Sequence, residues 1–285
     1  MLENRSPPWT EDRILRTNRF TNVYRELDPG TDYLIRHILE TSHSDEDKIF
    51  NVMIYRLIGR LDTYKRIGFQ TLRSFDSSRF EKVLKDIRDV EKHSPFSGAY
   101  TVCGYTKLGS HDKIVNVSRL FADLQNQFPN LYARIKRCRR AEEVYNELKN
   151  TNGFGRFLAY QVLVDLLYPL NIKNGAPLLP FSHDEWAVAG PGARRGIDIL
   201  LRNGLTHAEL DVMRWLRDNQ MREFQRLGIV FPYRKGKFGQ PIHITLANIQ
   251  NCLCEFYKYY KIKTGTGRAR RRFVLGGQLS LEMTI

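Results

Sequence analysis

The sequence has no run of the roughly 18 apolar residues that a membrane-spanning helix requires. Its most apolar stretch, Phe157 to Leu170, is broken by Asp165. The N-terminal MLENRSPPWTEDR lacks a basic start followed by an apolar run, so no export signal is read there and a cytoplasmic, membrane-free protein is expected. Cysteine is scarce. Cys103, Cys138, Cys252 and Cys254 are too few and too irregular for a disulfide framework. The close pair Cys252 and Cys254 has no second pair to complete a zinc site, and four clustered cysteines for an iron–sulfur centre are absent, so no metal ligand set is assigned. There is no G-x-x-x-x-G-K-[ST], which argues against an ATP-driven kinase within this chain. Serine hydrolases, zinc proteases and zinc deaminases are excluded by the absence of G-x-S-x-G, H-E-x-x-H and H-x-E with P-C-x-x-C. Strand signals are sparse, and no internal repeat or low-complexity linker interrupts the chain.

What remains is basic and helical. The 285 residues are 42% hydrophobic and 12% aromatic, enough for a sizeable core and too much for wholesale disorder. Lys and Arg number 45 against 31 Asp and Glu, a net charge of +14, and the pI is near 9.7. Such a field favours a polyanion, with nucleic acid the leading partner class. Ile49, Met53, Leu57, Leu61 and Tyr64 recur at helical spacing after the acidic run Asp45 to Asp47. Ser78 and Glu81 read as a capping box ahead of a second amphipathic helix through Val90. Further helices are expected over 116–128, 139–150, 155–168 and 192–203. Another runs from a Thr206/Glu209 capping box to Gly228, and a last one starts near Thr245, while 229–244 reads as a loose hairpin or ordered loop. The fold class expected is all-α with little or no β, in one helical domain over 1–285 and a possible lobe boundary near 93–110.

Four stretches carry chemistry. Gly153-Phe154-Gly155-Arg156 is a Gly-x-Gly turn that opens an apolar helix. That geometry suits a DNA phosphate at a helix N-terminus, as in a helix-hairpin-helix, although a plain Gly-capped turn has the same sequence. In HDEWAVAGPGARRG, Asp184 and Glu185 precede a Gly-Pro-Gly turn whose helix carries Arg194 and Arg195 in its first turn. Cations there oppose the macrodipole unless an anion is bound, and the alternative is solvated arginines with Asp184 capping a turn. Asn18, Arg19, Asn22, Tyr24 and Arg25 gather amides, guanidiniums and an aromatic ring within a few positions, the composition that reads and stacks an extruded base, or an ordinary polar helix. Glu255 and Lys258 share a helix face, where an intrahelical ion pair is the simplest reading. Basic runs at 134–140 and 258–272, the latter with Arg268 and Arg270, suit the DNA backbone, or for the first run a solvated helix face.

Taken in order, NRFTNVYRELD, GFGRFLAYQVLVDL, HDEWAVAGPGARRG and NIQNCLCEFYKYYK resemble the α-glutamyl/putrescinyl thymine pyrophosphorylase family, over roughly residues 17 to 275. Characterised phage members are amino acid:DNA transferases with a DNA-glycosylase-like fold, and related helical domains occur fused to phage hydroxymethyl-deoxyuridine DNA kinases. The resemblance implies thymidine hypermodification: an upstream kinase activates hydroxymethyluracil in double-stranded DNA, and the transferase displaces pyrophosphate with the amine of a free amino acid. The gap from Gly155 to Asp184 is longer than in ordinary glycosylases. On this reading Asp184, with Glu185 second, is the general base, and Arg194, Arg195 and the N–H groups after Gly192 hold pyrophosphate. Asn18, Asn22 and Tyr24 read the uracil; Arg19, Arg25 or Lys258 takes the amino acid's carboxylate, with Glu255 beside it. Gly153, Gly155, Arg156, Arg268 and Arg270 contact DNA. No cofactor is firmly implied, and Mg²⁺ is compatible with pyrophosphate release. The rival enzyme is a DNA glycosylase using Asp184, and a non-catalytic helical DNA-binding module is the third reading.

Overall fold

The computed structural model describes residues 9–98, 100, 102–201, 208–236, 238–269 and 272–273. Its order is α1 (Arg13–Thr17), α2 (Pro29–Leu34), α3 (Asp45–Ile58), α4 (Leu61–Ile67), α5 (Ser77–Asp89), α6 (Lys113–Arg137), α7 (Ala141–Lys149), α8 (Arg156–Leu166), α9 (Pro191–Leu200) and α10 (Glu209–Arg226). The antiparallel strands β1 (Arg234–Lys235) and β2 (Pro241–Ile242) follow, then α11 (Leu246–Lys263). The fold is all-α, and the hairpin lies within the stretch expected for it. The chain clusters into two compact units, one of residues 1–29 with 186–285, the other of residues 30–185. The interruption near 93–110 falls inside the second unit, between α5 and α6.

In the 30–185 unit, α3 and α8 are apolar around most of their circumference and both are central, as helices without a polar face must be. Ser44 caps α3 by accepting from the Asp47 N–H, and three carboxylates in its first turn offset the helix dipole. The periodic run from Ile49 to Tyr64 is two helices, because Gly59 turns left-handed and ends α3. Phe50 meets the rings of Phe75, Phe121 and Phe128 edge-on at 5.3–6.0 Å, joining α3 to α6. Burial further along the helix explains why α6 does not stop at 128. An interior proline costs a helix about 3 kcal/mol. Leu131 and Ile135 beyond Pro129 are both buried, each worth about 1.5–3 kcal/mol, so continuing the helix wins. The α5 cap is also two residues earlier than the sequence pattern suggests: Asp76, not Ser78, accepts from the first-turn N–H groups.

One charge lies in this core. Asp165 on α8 is fully buried and takes a bidentate hydrogen bond from Arg56 of α3. Burial works against the Arg56 charge, but Asp165 more than offsets it and holds the guanidinium protonated.

In the other unit, α9 crosses α11 at close range. A Cβ on Gly196 would sit 2.4 Å from the Leu253 carbonyl oxygen, and one on Gly192 would sit 2.5 Å from Cys254 Sγ. The N-terminal segment runs antiparallel along α11. Asp12 accepts from the Tyr259 hydroxyl at 2.6 Å, the Thr21 hydroxyl accepts from Asn251 at 2.7 Å, and Arg25 N–H donates to Asn248 at 3.1 Å. Thr245 caps α11 at the expected place. For α10 the expected Thr206 lies outside the described residues, and the N-cap position is Ala208, whose side chain makes no cap bond.

Asp165→Asn should cost about 3–5 kcal/mol in urea unfolding, because it strands a buried guanidinium, and Arg56→Met with Asp165→Leu should recover most of that loss. Gly196→Ala should cost about 1–3 kcal/mol by overpacking against backbone, and Gly192→Ala should be relieved by Cys254→Ala, read as a double-mutant cycle in thermal melts.

Candidate functional site

The turn between α7 and α8 is built by two glycines with different reasons to be glycine. Gly153 has φ +83°, and a Cβ there would press to 2.4 Å from Leu120, so the fold requires it. Its carbonyl accepts from the Tyr105 hydroxyl at 3.0 Å, and Phe154 between the glycines is fully buried. Gly155 is the N-cap of α8 with ordinary extended dihedrals, φ −67° and ψ 178°, and a Cβ there would meet nothing within 4 Å. The first-turn N–H groups of α8 have no intrahelical acceptors, and Arg156 beside them is exposed. Next to this turn lies a polar hollow of about 190 Å³, whose lining includes Gln127, Asn130 and Arg134 of α6 with Asn150 and Asn152. Residues 127, 130 and 134 share a helix face, a spacing readable in the sequence but masked there by the expected helix end at 128.

The turn 182–185 is fixed at the far end of α8. His183 Nε2 is 2.7 Å from the Val164 carbonyl and its ring meets Tyr168 edge-on, while Asp184 N–H donates to the Ser182 hydroxyl at 3.1 Å. Asp184 is half-buried. Glu185 is committed elsewhere: its carboxylate accepts the Ala141 N–H at 2.8 Å and so caps α7.

In the 1–29 and 186–285 unit most of the expected ligand-binding residues turn out to hold structure. Asn18 is buried and donates to the Ile14 carbonyl and the Thr17 hydroxyl. Tyr24 is buried too. Its hydroxyl donates to the Ile242 carbonyl at 2.5 Å, pinning the hairpin, and burial raises its pKa. Neither presents its polar group to a base. Asn22 donates both its backbone and side-chain N–H to Asp28, whose carboxyl burial pushes above the ordinary range although those bonds oppose it. Arg25 is buried with its N–H on Asn248. Lys258 pairs with Glu255, donates to the Arg19 carbonyl at 3.0 Å and stands over the Phe20 ring at 4.6 Å, while Glu255 accepts from Thr21 N–H. The Glu255–Lys258 pair thus clamps the N-terminal segment to α11. The Arg19 side chain is exposed.

The Gly-Pro-Gly helix start also resolves differently from its sequence reading. Arg194 is paired with Glu209 of α10, so the anion that offsets it belongs to the chain, and that carboxylate raises the Arg194 pKa. Gly192 serves the α9–α11 crossing. Arg195 is exposed, donates to the Tyr257 hydroxyl at 2.7 Å and lies over that ring at 5.4 Å. Arg268 is exposed; Arg270 lies outside the described residues. A groove of about 300 Å³ in this unit is apolar, lined by residues including Trp215, Phe224, Phe231 and Phe256, and none of the polar candidates lines it. Burial pushes the Cys252 thiol up to about 11 and raises Cys254. Among the described residues no three His, Cys, Asp or Glu side chains stand together as a metal site, and no helix is long and apolar enough to cross a membrane.

Comparison with known proteins gives a match over residues 1–268 to the family described as the helical domain of 5-hmdU DNA kinase. A 5-hmdU DNA kinase of Bacillus phage SP10 is 26% identical over 273 residues, which cover 91% of this chain and 42% of that protein. The chain therefore spans less than half the length of this relative. No solved structure matches. With nearly its whole length inside that match, the chain belongs to the 5-hmdU DNA kinase helical-domain family.

Proposed function

We propose that the protein acts on DNA in phage thymidine hypermodification, as an amino acid:DNA transferase. It would displace pyrophosphate from 5-pyrophosphoryloxymethyl-deoxyuridine with the amine of glycine, glutamate or serine. The observation that carries DNA engagement is Gly155. A glycine whose dihedrals suit any residue, whose Cβ would be unobstructed and whose place at an N-cap favours Ser or Asp is not required by the fold. It leaves room for a backbone phosphate to approach the α8 N–H groups. Arg156 adds a cation there, and the hollow beside the turn offers Gln127, Asn130 and Arg134 to the same strand. The family of the chain supports a place in 5-hmdU chemistry. The kinase activity in the relative's name belongs to a much longer protein, and this chain has no phosphate-binding P-loop of its own.

For the transfer step, the amine must lose a proton before it can attack, since an ammonium has no lone pair. Asp184 is the proposed acceptor, held by the His183 anchor, with Glu185 excluded by its role at α7. The amine nitrogen forms a bond to the exocyclic methylene carbon, the carbon–oxygen bond breaks, and pyrophosphate leaves with the bonding electrons. The protons released from nitrogen pass to Asp184 and solvent. A second reading, a helical domain that positions DNA for a kinase, is favoured by the number of polar candidates engaged in structure, Tyr24, Asn18 and Arg194 among them.

Gly155→Asp separates fold from function. Aspartate caps at least as well as glycine, so the melting temperature should hold or rise, yet its charge should weaken binding to a short duplex by at least about tenfold, or 1.4 kcal/mol. Unchanged DNA affinity would remove the α7–α8 turn from the interface. Incubation of the protein with pyrophosphorylated DNA and mixed amino acids, read by nucleoside mass spectrometry, should give an aminoacylated thymidine. Asp184→Asn should lower that yield by about 10²-fold or more while binding persists. Alkali-labile abasic sites without added amino acid would instead identify base excision, and binding without any product would favour the DNA-positioning domain.

A further inference from the structure

The fold neutralises some cations around α9 and α11 and leaves two against one aromatic ring. Arg194 has Glu209 and Lys258 has Glu255. Arg195, one residue from Arg194, and Lys261, three residues from Lys258, converge instead on one ring. The Arg195 guanidinium lies 5.4 Å and the Lys261 ammonium 4.9 Å from the centroid of Tyr257. Among the described residues neither has a carboxylate within 4.0 Å, and of the Arg195 nitrogens only Nη1 donates, to the Tyr257 hydroxyl at 2.7 Å. Tyr257 and Lys261 are i and i+4 on α11, so both project from the same face. Lys261 is further held in place by the chain after the helix, where Gly267 N–H returns to the Lys261 carbonyl at 3.2 Å and a Cβ on Gly267 would touch the lysine stem. Arg268 follows, exposed.

Offsetting the α11 macrodipole explains lysines in its last turn, but not Arg195. That arginine sits near the start of α9, where the dipole opposes a cation, and it is brought to a ring that a second cation also faces. Two cations on one ring repel unless an anion lies between them. The ring orients both without neutralising either. We propose that Arg195, Tyr257 and Lys261 form a cradle for phosphoryl oxygens: a planar guanidinium with donors to spare and a point-charge ammonium converge as a tetrahedral phosphate requires. This rests on the reading of the protein as acting on DNA, and it names two sources of the same chemistry, a backbone phosphate of the duplex or the pyrophosphate on the modified base.

The test uses the full chain with Arg195→Gln, Lys261→Gln and the double variant, against a control in which exposed Lys82, Lys92 and Lys107 of the other unit are changed to Gln. Circular dichroism melts confirm folding. Binding to a short unmodified duplex is measured across a salt series, and binding of inorganic pyrophosphate by calorimetry. If the cradle holds the backbone, the double variant lowers the slope of log K against log salt by about 1, at roughly 0.9 per lost phosphate contact, and the control does not match it. If it holds the leaving group, the slope stays and pyrophosphate affinity falls at least tenfold. No change in either measurement, or an equal loss in the control, overturns the proposal. Neither readout involves transfer, so a protein that lacks transferase activity but shows the slope change would overturn the enzymatic reading alone.

Discussion

The buried pair between Arg56 and Asp165 is the constraint on which the 30–185 unit depends. α8 is enclosed by apolar neighbours along its length, and a single carboxylate within it would cost several kcal/mol without a partner. Arg56 supplies that partner from α3, the other central helix. The pair therefore fixes the rotation of α8 about its own axis, because any other rotation would leave a charge in the core. Both ends of α8 carry functional candidates. Its first residues present Gly155 and Arg156, and near its other end the Val164 carbonyl holds His183 and with it the turn of Asp184. At 1.5 Å per residue, those two features are about 12 Å apart along one rigid helix. A backbone contact and a chemical group held at fixed separation is the arrangement that acting on one nucleotide requires.

The 1–29 and 186–285 unit is organised by α11 in a comparable way, through close approach rather than buried charge. Gly192 and Gly196 let α9 settle against the Cys254 and Leu253 positions, and the opposite flank of α11 takes the N-terminal segment through a series of polar contacts. Because α9 lies so close, Arg195 reaches the ring of Tyr257. A wider crossing would leave that arginine in solvent and the cradle would not form. Gly192 and Gly196 are thus what brings Arg195 to a ring that Lys261 of the same helix already faces.

How much of this was legible in the sequence follows from the range of each interaction. The acidic start of α3, Thr245 at the start of α11 and the Gly-x-Gly turn before α8 involve neighbours within a few residues, and their local pattern identified them. The partners of Tyr24 and Arg194 are not legible in the sequence for the opposite reason. The acceptor of Tyr24 is 218 residues away and the partner of Arg194 is 15 residues on, in another helix. A sequence shows that a polar group exists, and only the fold shows whether it is already spent. The helix that continued through Pro129 is the same lesson in energetic form, since Leu131 and Ile135 beyond the proline have value only when the fold buries them.

Glycines sort by the same question. Gly153, Gly192 and Gly196 each fill a place where a methyl group would collide with Leu120, Cys254 or Leu253, so packing alone accounts for them. Gly155 has no such neighbour, and at an N-cap a Ser, Asn or Asp would give the helix a side-chain acceptor that glycine does not. The sequence therefore forgoes a stabilising residue at the position where bulk and negative charge would do most harm to an approaching phosphate. In a chain of net charge +14, most cations attract a polyanion without saying where it lies. On the proposal above, a glycine that the fold does not need would mark the contact more narrowly than the charge does, because its absence of a side chain matters only to something that comes within van der Waals reach.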